Sequence, residues 1–447
     1  MKKKRTTRLF LFMGMCAAQG FHAIGQEVWT LDRCMVYAVE HAHQVQMKRI
    51  EADNALLSLE RTRDAFIPSV SAGVGGQVSW GRNVDPETNT YNTITTLNNS
   101  YQLSTGVTLW SGMQQINALK QAHLQMKQSR NALQEGKDQV AMETMNRFID
   151  AVYAMQSAEL ARQKKDDSSR MLEKTRRLEE LGEKGMPEVA QMEAQLANDT
   201  YEAVRQQHAA DKARHALKTI MNYPAEDSIV LGVEAEDTLV HIDGNARHLF
   251  PIPALVAAEN NVALQRYNYR ITRGRLSPTL SLGAGIGTSY FRNLSTQTAV
   301  NTFGKQWKNN MGEYVSASLS IPLLNLTTHK DIRRARNQVR LAEVARQETQ
   351  FRTRETYRQT CDDVNGSRKA LQLMHAKVKS DSIAHHMNCR KFEEGLLSAL
   401  DLQTSAQALH QSRIRLLQVA LTLNMQQRVK QYYETGKIYN EEYGQKD

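Results

Sequence analysis

The sequence predicts an α+β membrane protein built as a tandem repeat, in which long helices outnumber a few strands. Three observations lead there. The stretch from Met113 to Glu183 contains no proline, and as one helix it would run roughly 105 Å at 1.5 Å per residue. Four separate segments change from a helical period to strict alternation of apolar and small polar residues, the signature of strands with two unlike faces. And the whole order of elements recurs about 210 residues later, as internal repeats do.

Composition agrees with long, narrowly striped helices. Aromatic residues are 6% of the 447 and mean hydropathy is −0.55, which suits extended helices better than a compact globule. Half of the net charge of +10 comes from Lys2, Lys3, Lys4, Arg5 and Arg8. Elsewhere Lys and Arg alternate with Glu and Asp as on solvated helix faces, with no basic stripe interleaved with aromatics, so nucleic acid is not an expected partner.

Residues 1–25 read as a secretory signal. The basic start leads into Leu9–Met15, and Ala23-Ile24-Gly25 places small residues before Gln26. A lipoprotein reading through Cys16 is disfavoured by the bulky Met15. Cys34, Cys361 and Cys389 remain after cleavage, an odd set that makes a disulfide framework unexpected.

The first repeat spans 26–224. Helix Val28–Asp64 ends before Phe66-Ile67-Pro68, where proline forces its predecessor out of helical geometry. Val70, Ala72, Val74, Val78 and Trp80 then alternate with Ser69, Ser71, Gly73, Gly75, Gln77 and Ser79. Gly81–Ser100, rich in Asn and Thr, reads as a loop. The second strand sets Tyr101, Leu103, Thr105, Val107 and Leu109 against Gln102, Ser104, Gly106 and Thr108. Gly112 marks the strand-to-helix junction before the long helix, which carries a seam at Leu119, Met126, Leu133 and Val140 and stops at Gly182–Pro187. Met186–Asn222 follows, with Val189, Leu196, Ala203, Ala210 and Leu217 as its seam.

An acidic connector at 225–250 leads to the second repeat, 251–433, and a tail at 434–447. Helix Pro253–Arg275 ends at Pro278, the counterpart of Pro68, and is shorter than its first-repeat equivalent. Leu280, Leu282, Ala284 and Ile286 alternate with Ser281, Gly283, Gly285 and Gly287; Arg292–Gly312 reads as a polar loop; Val315, Ala317, Leu319, Ile321 and Leu323 form the fourth strand. Helix Thr328–Phe392 breaks at Gly395, taken as the counterpart of Gly185, and Leu402, Leu409, Leu416 and Leu423 line the last helix.

Each strand has about five apolar residues on one face, enough at a tilt to approach a ~25 Å hydrophobic band. The other face, Ser, Gly, Gln and Thr, suits water. Trp80, Tyr101, Tyr290, Phe291 and Tyr314 are expected as an interfacial girdle. Four strands cannot close a barrel and lipid tolerates no open edge, so oligomerisation is required; three copies would give twelve strands.

The motifs Phe66-Ile67-Pro68-Ser69-Val70, Leu276-Ser277-Pro278-Thr279-Leu280, Val107-Thr108-Leu109-Trp110-Ser111-Gly112 and Gly395-Leu396-Leu397-Ser398-Ala399-Leu400-Asp401-Leu402-Gln403 resemble TolC-type outer-membrane efflux proteins. The resemblance covers nearly all of the chain after residue 25. It implies a homotrimer with a 12-stranded barrel in outer-membrane lipid, continuous with a long periplasmic α-helical barrel. It also implies a mixed equatorial belt, a periplasmic adaptor and an inner-membrane transporter as partners, and location in the outer membrane of a Gram-negative bacterium.

It further implies a gate at the helix turns, Leu181–Gln191 and Lys391–Thr404. There the sequence departs from the family pattern. Asp401 matches the first of two expected carboxylates and Thr404 replaces the second. Phe392 stands for a tyrosine, Leu397 for an arginine, and Gln191 for a first-repeat acid. Gly185, Pro187 and Gly395 shape the turns. A ring of Asp401 charges and a plain helix-capping role for Asp401 are both open readings.

Other chemistry is sparse. The alternating Gly283, Gly285 and Gly287 lie on a strand with no helix opening after them, unlike a dinucleotide loop. His385, His386 and Cys389 are expected to be solvated rather than metal-bound, and His41 and His43 do not face one another. No catalytic constellation or cofactor site stands out, so no enzyme is expected. The resulting expectation is a passive exit duct for small molecules. Its alternatives are the same duct in type I protein secretion, and an exported coiled-coil scaffold without a pore.

Overall fold

The computed structural model describes residues 28–85, 89–232, 250–295 and 302–439. The expected secretory segment with Cys16, most of the connector and the end of the tail lie outside the described residues.

The first predicted helix is three elements: β1 (Val28–Trp29), α1 (Leu31–His41) and α2 (His43–Asp64). Ala42 is extended, with φ −64° and ψ 130°, and breaks the helix. The cause is packing. α1 buries Cys34, Met35 and Ala38 completely, whereas α2 buries only Val45 and Ala52. One straight helix could not place both faces against their partners. The break also removes the length mismatch between repeats, since α2 and its counterpart have 22 residues each.

The strand order in the main sheet is β2 (Ser69–Asp85), β3 (Thr90–Ser111), β5 (Thr279–Asn293) and β6 (Gly312–Ser320), all antiparallel. A small parallel pair joins β1 to β4 (Val230–Leu231). β2 and β3 continue through most of the predicted Gly81–Ser100 loop, pairing as far as Asp85↔Thr90. At 17 residues β2 is about 56 Å long. Its polar outer part needs no apolar alternation because both of its faces can meet water, and the β-branched threonines of the paired part of β3, Thr93, Thr95 and Thr96, suit a strand.

Pairing fixes the faces. Val70, Ala72, Val74, Val78 and Trp80 share one with Tyr101, Leu103, Ile286, Leu282 and Leu319; Ser71, Gly73, Ser104, Gly285 and Ser316 share the other. Two expectations change. A bulge leaves Leu109 unpaired and sets Trp110 opposite Leu280, so Trp110 takes its place in the apolar row. And Phe291 and Tyr314 fall on the small-residue face, leaving Trp80, Tyr101 and Tyr290 on the apolar one. Gly285 makes room for that ring: a Cβ there would stand 2.7 Å from Tyr314 Cε1.

The predicted Arg292–Gly312 loop contains a short helix, α6 (Phe303–Asn309). β6 stops pairing at Gly287↔Gly312, which would leave the upper edge of β5 open. Side chains near α6 close it. Gln306 accepts from Phe291 N and donates to Phe291 O, both at 2.9 Å, and Asn310 donates to Ser289 O at 2.7 Å. Covering an edge this way blunts unwanted pairing.

Four long helices follow the strands: α3 (Gln114–Glu180) and α7 (Leu326–Glu393) lead away from the sheet, and α4 (Met186–Met221) and α8 (Ala399–Thr435) return from the far turns. With 67 residues α3 spans about 100 Å. It packs on α2 and on α5 (Pro253–Gly274) along one part and on α4 along another. Gly112, at φ +59°, turns the chain from β3 into α3. Pro68 and Pro278 are exposed at the two helix-to-strand junctions.

The largest core lies midway along the helices. Met35, Val140, Met145, Leu217 and Met221 are fully or almost fully buried there. Arg428 donates to both Asp32 oxygens, at 2.8 and 3.0 Å, and Tyr432 donates to Asp138 Oδ2 at 3.0 Å. Burial raises the Asp138 carboxyl above the usual carboxylate range. This core draws on β1, α1, the middle of α3 and the ends of α4 and α8, and Ile229, Leu231 and Ile438 from the described parts of the connector and tail are buried in it. Among the described residues no helix is long and apolar enough to cross a membrane.

Candidate functional site

The turns at the far end of the helices are two copies of one backbone device. Gly182 (φ +76°) ends α3 and Gly395 (φ +75°) ends α7, each in the left-handed conformation that favours glycine. Glu183 N then donates to Leu178 O at 2.9 Å, and Leu396 N to Lys391 O at 2.8 Å. Three residues after each of these glycines comes the N-cap of the next helix, Gly185 for α4 and Ser398 for α8.

This geometry corrects the repeat register. By conformation, Gly395 corresponds to Gly182 and Ser398 to Gly185, an offset of 213 rather than 210 residues. The first-repeat equivalent of Asp401 is then Glu188, not Gln191. Both acids are the third residue of their helix and both close on the cap. Gly185 N donates to Glu188 Oε2 at 3.2 Å; Asp401 N donates to Ser398 Oγ at 3.2 Å, and that hydroxyl donates to Asp401 Oδ2 at 2.6 Å. Pro187 sits in the first turn of α4, where a missing N–H costs nothing. Asp401 and Thr404 are exposed, Gln191 is half-buried, and Thr404 Oγ1 donates to Leu400 O at 2.9 Å.

Phe392 is 0% exposed and is the centre of the tip. Leu172 of α3, Val189 and Met192 of α4, and Ala399 and Leu402 of α8 pack with it, with Leu397 and Cys389 at the margin. Lys184 Nζ stands 4.6 Å from the ring centroid, a cation on its π face. Lys174 pairs with Glu393 at 2.8 Å across α3 and α7, but both are over 40% exposed, and such pairs contribute about 1 kcal/mol or less. The two turns are therefore joined by apolar burial. Phe392 is buried at the centre of that contact and Leu397 is packed at its edge.

Behind this cluster lies a cavity of about 440 Å³ between α3, α4, α7 and α8. His385 is half-buried in its wall rather than solvated. Its Nδ1 is 3.0 Å from Ser405 Oγ and its Nε2 3.6 Å from Cys389 Sγ. Burial, chiefly, lowers the imidazole pKa of His385 and of His410, and raises that of the Cys389 thiol. Among the described residues no group of three His, Cys, Asp or Glu could hold a metal ion.

Sequence reasoning missed one polar link here. Asp199 is 1% exposed; Lys164 Nζ lies 2.9 Å from its Oδ1, and Ser168 and Gln195 donate to Oδ2 at 2.6 and 2.8 Å. Lys164 also donates to Gln407 Oε1 at 2.7 Å, tying α3 and α4 to α8. The signal was present: Asp199 falls seven residues after the buried Met192, on the helix seam.

Residues 252–432 match the family model described as outer membrane efflux protein. No curated protein sequence matches the chain. Solved structures do. CusC has a TM-score of 0.76 at 13% identity, over 90% of this chain and 91% of that one. The outer membrane protein VceC of Vibrio cholerae has 0.74 at 13%, over 90% and 95%. The Campylobacter jejuni CmeC outer membrane channel has 0.74 at 13%, over 91% and 87%. The chain thus carries the fold of these channels along nearly its whole length, and its second repeat matches the outer membrane efflux protein model, in line with the resemblance to TolC-type outer-membrane efflux proteins that its motifs carry.

Proposed function

We propose that this chain is the exit duct of a tripartite efflux system, three copies of which close a 12-stranded barrel in the outer membrane. Repeats 26–224 and 251–433 would supply the staves of a helical barrel reaching into the periplasm. The observation that carries this reading is the sheet. Val74, Trp80 and Val315 are more than 75% exposed on its apolar face, the opposite face is Ser and Gly, and β2 and β6 are its two edges. Among the described residues this apolar face is covered only by α6 at its loop end; such a face with two unpaired edges is unstable in water and is satisfied by lipid and by like copies edge to edge. The helices ask for the same neighbours: Leu341, Val344 and Phe351 form an exposed stripe on α7.

The duct is passive. Energy and cargo choice come from an inner-membrane transporter, and a periplasmic adaptor would meet the tips. Small molecules are the proposed cargo; the identity of the partner pump separates this from protein secretion. Purified protein should run as a heat-modifiable trimer and conduct ions in a planar bilayer. A folded protein that never conducts would favour a scaffold and overturn the duct.

A further inference from the structure

We propose that the outward sheet face at its loop end binds the phosphate groups of outer-leaflet lipid headgroups, held by Arg292, Lys305 and Lys308 with Arg82 above them. The inference rests on the reading that this face meets lipid.

The register sets two of the four cations. Arg292 pairs with Leu97, which pairs with Val78, so it continues the apolar row. Arg82 lies on that row too, two residues beyond Trp80, and its guanidinium stands 5.7 Å from the Tyr91 ring centroid. The other two ride on α6, which is fixed on this same face. Thr288 Oγ1 donates to Trp307 O at 2.9 Å, and the rings of Phe303 and Trp307 pack with Tyr101 and Tyr290 at centroid distances of 5.0 to 6.1 Å. With those rings turned to the sheet, Lys305 and Lys308 occupy the remaining, exposed faces of the helix.

All four cations are exposed, and among the described residues none is in an ion pair. The one carboxylate among the described side chains of this face, Glu313, sits opposite Ile286, six residues down β5 from Arg292. These cations, among the described residues without counter-charges, are interleaved with the aromatic belt of Tyr101, Tyr290 and Trp80 and occupy the depth at which headgroup phosphates lie. Guanidinium binds phosphate through two parallel hydrogen bonds, while ammonium acts as a point charge. Rings and charge together select an amphiphile with a phosphorylated head rather than a free anion.

The test is native mass spectrometry of the full-length protein in detergent with a bisphosphorylated outer-leaflet glycolipid, its dephosphorylated form, and inorganic phosphate as competitor. The wild type should retain the phosphorylated lipid at least about tenfold better than the dephosphorylated one. The variant carrying Arg82→Gln, Arg292→Gln, Lys305→Gln and Lys308→Gln should lose that preference. Equal retention of the two lipids by the wild type overturns the site without reference to how the variant folds. So does displacement by millimolar inorganic phosphate. Bilayer conductance of the same sample separates the two failures: a conducting protein with no lipid preference removes this inference alone, and one that neither inserts nor conducts removes the duct reading with it.

Discussion

Gly112 and Gly274 are pressed backbone to backbone where β3 turns into α3 beside the end of α5. A Cβ on Gly112 would lie 2.7 Å from the Gly274 carbonyl oxygen and 2.3 Å from Ser277 Cβ; a Cβ on Gly274 would lie 2.6 Å from the Gly112 carbonyl oxygen. This is where the helical part joins the sheet, and neither side can shift alone. Gly274→Ala should therefore cost about 1–3 kcal/mol through overpacking. Gly112→Ala should cost about 1–2 kcal/mol more, because alanine resists its left-handed backbone. Gly395→Ala, with open space around it, should show only that backbone cost. Chemical-denaturation midpoints in detergent give the ranking; Gly395→Ala as the most damaging of the three would refute it.

Phe392→Ala should destabilise the tip by about 3–5 kcal/mol, as large buried-to-small changes do, and raise bilayer conductance by freeing the turns. Phe392→Tyr should not strengthen the latch. The ring is closed in by Leu172, Val189, Met192 and Leu402, and a buried hydroxyl without a partner costs about 1–3 kcal/mol. A tyrosine variant with lower conductance and higher stability would show that a polar partner lies in reach.

The Lys164–Asp199 link predicts an asymmetry. Lys164→Met strands a carboxylate that is 1% exposed, whereas Asp199→Asn leaves an ammonium on a side chain 15% exposed that can reach water. The first should cost about 3 kcal/mol and the second nearer 1. Thermal melts of the two variants compare them directly, and equal losses would mean that the charge on Asp199 is not what matters.

Acid should loosen the tip. Burial lowers the folded pKa of His385 and His410 below the ordinary 6.5, although Asp167 opposes the shift at His385, and Asp199 and Glu202 at His410; Arg413 reinforces both. A group whose folded pKa is depressed contributes its full stability above the unfolded value and loses it as pH falls through the folded one. Hydrogen exchange over residues 385–410, corrected for intrinsic rates, should be faster at about pH 5.5 than at about pH 7.5. The His385→Gln/His410→Gln variant should lose that difference; if it persists, other groups carry it.

Much of this fold could be read from periodicity. The long helices and the tandem order needed only prolines, heptads and alternation, because each long element repeats its pattern many times. What escaped had no local signature. Ala42 breaks a helix with a residue that favours helices, since tertiary packing decides there. The outer half of the β2–β3 hairpin looked like loop because polar strands in water lose their alternation. The tip was harder still: matching Gly185 to Gly395 is natural on paper, and only the left-handed backbone of Gly182 shows that the register is shifted by three. Phe392 was legible as a missing hydroxyl but not as a hub, because the residues that bury it come from three other helices.

The apolar character of that hub gives the duct a thermal sensitivity. Parting Phe392 from Leu172, Val189 and Leu402 would wet nonpolar surface, a process whose free-energy cost near room temperature is entropic and diminishes on cooling. Added salt would screen exposed charges such as the Lys174–Glu393 pair and leave the apolar contacts in place. A closure of this kind is looser in the cold and nearly indifferent to ionic strength, the reverse of one fastened by charge.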